Sequence, residues 1–203
     1  MDYLFSVPGR PSANILPLCE FCQMVAPAGI KSVWPDGYVY TTNYEEADGY
    51  SNDILRGTLE VFDHLGIRRL DSILDIGAKK NILVNGLQRE GYVNATGIDK
   101  SDVILSSRFG RQMNFRDLPL DERYKVIHFC AILDFFPGGS FNDDLIPSLD
   151  LLAAKLYLHT EPKGYLVFKE VTKNLPEFKE ALRSIGFKPV LEYLHYPRVW
   201  QKA

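Results

Sequence analysis

From about residue 53 onward, short apolar runs alternate with amphipathic ones. Ile54, Leu55, Leu59, Phe62 and Leu65 recur at helical spacing and predict a helix over 53–65, with Ser51 or Asn52 to cap its start and Gly66 to end it. Residues 72–76 form a short apolar strand. Residues 82–90 place Ile82, Leu83 and Leu87 on one helical face and stop at Gly91, and a second strand follows to Asp99. A helix capped by Ser101 is predicted over 101–109. Residues 125–130 form a strand, with Val126, His128 and Cys130 on one face and Ile127 and Phe129 on the other. Beyond it come a long leucine-rich helix over 144–158, a turn at Pro162-Lys163-Gly164 and a strand over 165–171. A helix over 175–185 ends at Gly186, and strands over 187–193 and 196–201 close the chain. Strands alternating with helices in this way predict an α/β fold with a largely parallel sheet.

Residues 1–50 carry no such pattern. Pro8, Pro11, Pro17, Pro27 and Pro35, with Gly9, Gly29, Gly37 and Gly49, break them repeatedly. A short helix over 15–25 and a strand or extended arm over 33–42 fit between the breaks. Trp34, Tyr38, Tyr40, Tyr44 and Tyr50 make this an aromatic arm, packed on the main domain or closing over a site as a lid. The expected division is therefore an irregular arm over 1–50 and one domain over 51–203.

Composition narrows the class. At 203 residues, 46% apolar and 24% charged, the chain can bury one ordinary core. No run of 18 apolar residues predicts a membrane span, and Met1–Ser6 lacks the basic and apolar segments of a secretory signal, which favours a cytoplasmic location. The formal charge of −3 is not that of a dedicated nucleic-acid binder, though it leaves room for a local basic patch. Three cysteines, Cys19, Cys22 and Cys130, suit a reducing compartment. Cys19 and Cys22 have the spacing of half a zinc site, but no second pair of ligands is spaced to complete it, so no metal is expected.

The candidate chemistry lies in residues 72–99. Gly77 follows the first strand and allows backbone to approach a ligand closely. The next helix begins with unpaired N–H groups. Asp99, about twenty residues on, is placed to accept from ribose hydroxyls. Together these suit a nucleoside cofactor. A NAD-binding protein would ordinarily keep Gly-x-Gly-x-x-Gly, which this chain lacks.

This stretch resembles the first half of a class I S-adenosylmethionine (SAM)-dependent methyltransferase. The family loop is usually Asp-x-Gly-x-Gly-x-Gly; here Asp75 and Gly77 match, while Lys79 and Asn81 stand where the second and third glycines would be. The resemblance continues to the end of the chain. Thr160-Glu161-Pro162-Lys163-Gly164 takes the place of the family's Leu-Lys-Pro-Gly-Gly turn, and Ile185-Gly186-Phe187 that of Ala-Gly-Phe before the last hairpin. It implies a Rossmann-like, seven-stranded, mostly parallel sheet with helices on both faces, and SAM as cofactor. Asn114, before Leu118-Pro119, falls where the family has the Asp that binds the adenine amino group. Phe115 would then lie against the ring, and Asp117 is a second candidate. The implied cofactor-binding set is Asp75, Gly77, Ala78, Asn81, Asp99, Asn114, Phe115 and Cys130. Ala78 would supply close backbone approach, Asn81 would cap the helix from Ile82, and Lys79 and Lys80 would point away from the sulfonium.

No catalytic residue is assigned. His128 is a core histidine, a residue supporting the site, or a general base. Cys130 is placed to contact cofactor rather than to act as nucleophile. Asp134 could cap a helix, pair with a lysine or orient substrate. A narrower resemblance, in Gly77-Ala78-x-x-Asn81, Asn114-Phe115 and Ile132-Leu133-Asp134-Phe135-Phe136-Pro137, is to fungal ribosomal RNA adenine methyltransferases and their SAM-sensing relatives. The function implied is methyl transfer to a small molecule or an RNA base. The alternative is a catalytically inactive SAM-binding or structural methyltransferase-like partner protein. Neither the acceptor nor the oligomeric state follows from the sequence.

Overall fold

The computed structural model describes residues 30–33, 39–42, 47–100, 102–130, 132–133, 148–169, 174–191 and 198–203; up to residue 53, and at residue 103, it describes the backbone alone. The chain divides into two compact units, Met1–Asp53 and Ile54–Ala203. In the first, β1 (Ile30–Val33) and β2 (Val39–Thr42) pair antiparallel, with Val33 opposite Val39. Within the stretch 33–42, expected to be a strand or an extended arm, Val39–Thr42 is a strand. The expected helix over 15–25, Cys19, Cys22 and Asp134 lie outside the described residues.

Helix α1 (Ala47–Leu65) begins well before residue 53, so Ser51 and Asn52 lie inside it rather than at its cap. Its end is as the sequence predicts. Gly66 takes φ +66, its N–H donates to Asp63 O, and the Ile67 N–H donates to Phe62 O at 2.9 Å. That pair of bonds satisfies the last carbonyls of the helix.

The second unit is built on a seven-stranded sheet in the order β5-β4-β3-β6-β7-β9-β8. The strands are β3 (Ile73–Ile76), β4 (Ala95–Asp99), β5 (Gly110–Gln112), β6 (Tyr124–Cys130), β7 (Thr160–Lys169), β8 (Phe187–Leu191) and β9 (Arg198–Lys202). β3 through β7 are mutually parallel, and β9 alone runs against its neighbours β7 and β8. Helix α2 (Ile82–Arg89) connects β3 to β4, α3 (Leu149–His159) leads directly into β7, and α4 (Leu175–Ser184) precedes β8.

Period-two alternation divides the core. On one face Ile73, Ala95, Val126, Val167 and Val199 pack with Val61 and Phe62 of α1 and Leu83, Val84 and Leu87 of α2. On the other, Leu74, Ile76, Ile127, Phe129, Leu166 and Phe168 pack with Leu152 and Leu156 of α3 and Phe178 and Leu182 of α4. Helices cover both faces, which is why β3 reads as an apolar run and is buried throughout. The second core is strongly aromatic: Phe129 and Phe168 stack at 4.9 Å, and Phe178 meets both edge-on.

Several element boundaries differ from expectation. The helix predicted over 101–109 is a single 3-10 segment, Asp102–Ser106, because β4 ends at Asp99 and β5 starts at Gly110, leaving room for one tight turn. The leucine-rich helix starts at Leu149, where the Ser148 side chain accepts from the Leu151 N–H at 3.2 Å. The turn at residues 162–164 is absorbed into β7, which runs from Thr160 to Lys169. Lys163 there takes φ +58, and the pairing with β6 shifts register between Tyr124 and Val126.

A polar cluster ties the edge strand β5 to the start of β6. Arg111 donates two hydrogen bonds to the Glu122 carboxylate, at 2.9 and 2.8 Å, and one to the Tyr124 hydroxyl at 3.0 Å; that hydroxyl donates in turn to Glu122. These bonds from Arg111 hold the Glu122 carboxyl below its ordinary value. Burial raises the Tyr124 phenol, which stays protonated and able to donate.

Two outcomes are expected. Phe168→Ala removes a fully buried ring from the aromatic stack and lowers unfolding free energy by about 3–5 kcal/mol in denaturant titration. Because the folded-state pKa of Glu122 is lowered, the stability it contributes is complete above the ordinary carboxylate range and is lost as pH falls through the lowered value. Thermal melts of Glu122→Gln should therefore fall less steeply than those of the parent chain below about pH 4.

Candidate functional site

The backbone leaving β3 is the centre of the site. Gly77, Lys79 and Asn81 take φ +74, +47 and +61. Only the first of the three is glycine; the loop of the family that the sequence resembles carries glycine at all three. An asparagine tolerates such a φ; a lysine does so at a cost of about 1–2 kcal/mol. The N–H groups of Gly77 and Ala78 both donate to Ile98 O, at 2.9 and 3.1 Å, and the Lys79 N–H donates to Asp99 Oδ2 at 3.0 Å. The end of β4 thus holds the loop at three successive residues.

Gly77 is exposed, and a Cβ there would stand 3.2 Å from Cγ2 of Ile132. Ile132 was given no role from sequence alone; it borders the loop as the chain leaves β6. Ala78 is half-buried, as is Lys80, while the Lys79 side chain is exposed.

Asn81 does not cap α2 with its side chain as expected. Its left-handed backbone turns the amide away from the first helical N–H groups, and it makes no cap hydrogen bond. The amide is instead fully buried: Nδ2 donates to Ser107 Oγ at 2.9 Å, and Ser107 Oγ donates to Asn85 Oδ1 at 2.8 Å. Asn81 Oδ1 lies against Gly97, where a Cβ would come within 1.9 Å of it and 2.8 Å of the Ala78 Cβ. Gly97 and Ser107 had no assigned role. A glycine inside a strand is a signal of close backbone approach, and Gly97 is legible in that way. Ser107 carries no comparable mark.

Asp75 stands opposite Gly97 on β4 and opposite His128 on β6. Both side chains are buried, and His128 Nδ1 lies 2.7 Å from Asp75 Oδ1. A carboxylate can only accept, so Nδ1 carries the proton and donates. Asp75 is thus a partner for His128 beneath the loop, and His128 is a core histidine that fixes it.

The remaining expected residues sit at the same carboxyl end of the sheet, with one correction, at Phe115. The Asn114 amide oxygen accepts from the Arg116 N–H at 2.9 Å, which opens the 3-10 segment Phe115–Asp117. Phe115 is 8% exposed, and its ring packs 5.8 Å from the His159 ring as part of the core rather than standing out against a ligand. The turn drives the ring inward because Leu118 and α3 form an apolar floor there. Asp117 is exposed and pairs with Arg116 at 3.3 Å. Cys130 is half-buried at the end of β6, in register with Lys169 of β7.

This sheet order, with its antiparallel last hairpin, is the fold of the SAM-dependent methyltransferases, and solved structures superpose on it. Magnesium protoporphyrin IX methyltransferase of Synechocystis PCC 6803, solved with SAM bound, matches with a TM-score of 0.54 at 13% identity over 81% of this chain and 86% of its own. An amino pentose methyltransferase of Micromonospora echinaspora, also SAM-bound, gives 0.56 at 10% identity over 82% and 99%. Streptomyces venezuelae DesVI gives 0.57 at 12% identity over 80% and 99%. No family model matches the sequence, and no curated protein does.

The geometry makes two opposite forecasts for thermal unfolding. Lys79→Gly relieves the left-handed backbone and raises stability by roughly 0.5–1 kcal/mol, the strain relieved exceeding the added chain entropy. Gly97→Ala forces its methyl into Asn81 and Ala78 and costs about 2 kcal/mol or more.

Proposed function

We propose that this protein binds SAM at the carboxyl ends of β3, β4 and β5 and transfers its methyl group to a small molecule or an RNA base. One observation carries the reading: residues 77, 79 and 81 hold positive φ although only the first is glycine, and Asp99 follows at the end of the next strand. A chain that accepts strain at Lys79 to keep this loop is keeping a loop that is used.

The residues fit the cofactor. Exposed Gly77 and half-buried Ala78 would let backbone pass beside the methionine portion. The Asp99 carboxylate is an acceptor at the end of β4, where ribose hydroxyls would donate to it. Asn114 and the backbone N–H of Phe115 would meet the adenine, and Cys130 would line the cofactor's side. Asp75 acts from below through His128, keeping the end of β3 in place. SAM supplies an electrophilic methyl group. Transfer to a good nucleophile needs in-line positioning more than acid–base help, so the chain's task is to hold the donor and admit the acceptor.

Titration calorimetry with SAM and with its demethylated product S-adenosylhomocysteine (SAH) tests this. Asp99→Ala should weaken both ligands by about 1.5–3 kcal/mol. Gly77→Val should abolish binding, because its side chain meets Ile132 and its φ is +74. Lys80→Ala should change affinity by less than about twofold, as its long side chain can turn to solvent. No binding of either ligand at millimolar concentration would refute the assignment. Loss with Lys80→Ala but not with Gly77→Val would mean that lysine charge, and hence an anionic ligand, defines the site.

A further inference from the structure

We propose that Ser107 is a positioning residue for the cofactor loop, the middle member of an Asn81–Ser107–Asn85 relay that performs by side-chain hydrogen bonds what a third glycine performs by conformational freedom; the cofactor part of this rests on the SAM reading above.

The relay joins three separate parts of the chain. Asn81 ends the loop after β3, Asn85 is one turn further along α2, and Ser107 follows the 3-10 segment between β4 and β5. Ser107 is 7% exposed and Asn81 fully buried. The Ser107 hydroxyl accepts from Asn81 Nδ2 at 2.9 Å and donates to Asn85 Oδ1 at 2.8 Å; it also lies 3.3 Å from the Phe109 N–H, which donates to it. One hydroxyl thus uses its proton and its lone pairs in three directions, and that fixes its rotamer.

A glycine at position 81 would hold φ +61 without help and leave Gly97 uncovered. An asparagine there must put its amide somewhere, and the space above Gly97 is the place that Gly97, lacking a Cβ, provides. A buried amide with no partner on its nitrogen would be destabilising. Ser107 supplies that partner, and so couples the loop's backbone conformation to the segment that starts β5. Two residues earlier the Lys79 backbone N–H donates to Asp99, a bond that any residue but proline could make there.

Ligand-free amide hydrogen exchange and ligand titration read the proposal separately. In Ser107→Ala the amides of Lys79 and Asn81 should exchange about tenfold or more faster than in the parent chain, while those of Leu74 and Ile127 in the central strands keep their rates. SAM affinity should fall about tenfold, and adenosine, which lacks the methionine portion facing the loop, should lose about twofold or less. Asn81→Ala should show the same loss, with Ser107→Ala adding nothing to it, because the relay is already broken. Asn81→Gly placed in the Ser107→Ala background should recover SAM affinity, since glycine needs no anchor at this φ. Unchanged loop exchange in Ser107→Ala overturns the proposal. Acceleration of all amides alike assigns Ser107 to general stability and overturns it too. Faster loop exchange alone, in a chain whose parent form binds neither SAM, SAH nor adenosine, upholds the relay and refutes the methyltransferase reading instead.

Discussion

Left-handed backbone at residues 77, 79 and 81 is the constraint around which the rest of this unit is arranged. A parallel strand pair needs a crossover, and here the crossover is short: β3 ends at Ile76 and α2 is under way by Ile82. The chain must leave the sheet, reverse and start a helix back over β4 within a few residues. Left-handed residues achieve that turn, and the neighbouring strand must yield space to it. Gly97 yields the space. Ile98 O and Asp99 supply the acceptors that hold it.

The same crowding accounts for the buried polar groups. β3 is buried along its length, so the largely buried Asp75 side chain needs a partner there. His128 is that partner because parallel register sets it directly alongside. Asn81, Ser107 and Asn85 follow the same logic one layer up, against the start of α2. Removing Asp75 or His128 leaves the other buried and unpaired, and removing Ser107 leaves the buried Asn81 amide nitrogen so, which costs more than the bond itself contributes. The polar groups beneath and beside the loop therefore act together to fix its shape.

The Arg111–Glu122–Tyr124 tie does different work. It joins two strands that are not neighbours in the sheet, and its charged members remain partly exposed. Carboxyl ends of strands in an open parallel sheet are where loops can diverge to form a ligand crevice. The loop after β3, Asp99, Asn114 and Cys130 all lie at those ends. The residues proposed to bind cofactor thus share one edge of the sheet, while cross-strand ties and two apolar layers hold the strands that carry them.

Much of this was legible in the sequence. Period-two and helical patterns located β3, β4 and β6 to β9 and the helices α2 to α4, because burial leaves a direct compositional trace; the three-residue edge strand β5, only partly buried, left none. Gly66, Gly91 and Gly186 marked helix ends, since left-handed caps favour glycine. Asp75, Gly77 and Asp99 stood out by residue type and spacing. What the sequence could not decide were interactions between residues whose nearness comes from strand order alone. The pairing of Asp75 with His128 depends on β6 lying beside β3, although β4 and β5 come first in the chain. The turning of Asn81 away from its helix depends on a serine 26 residues further on. The Phe115 ring went inward because α3 offered it an apolar floor. Local pattern fixes which segments are strands and helices, through the burial each can achieve by itself. Only the assembled sheet determines which polar side chains meet, because a hydrogen bond between distant residues requires a geometry that neither segment holds alone.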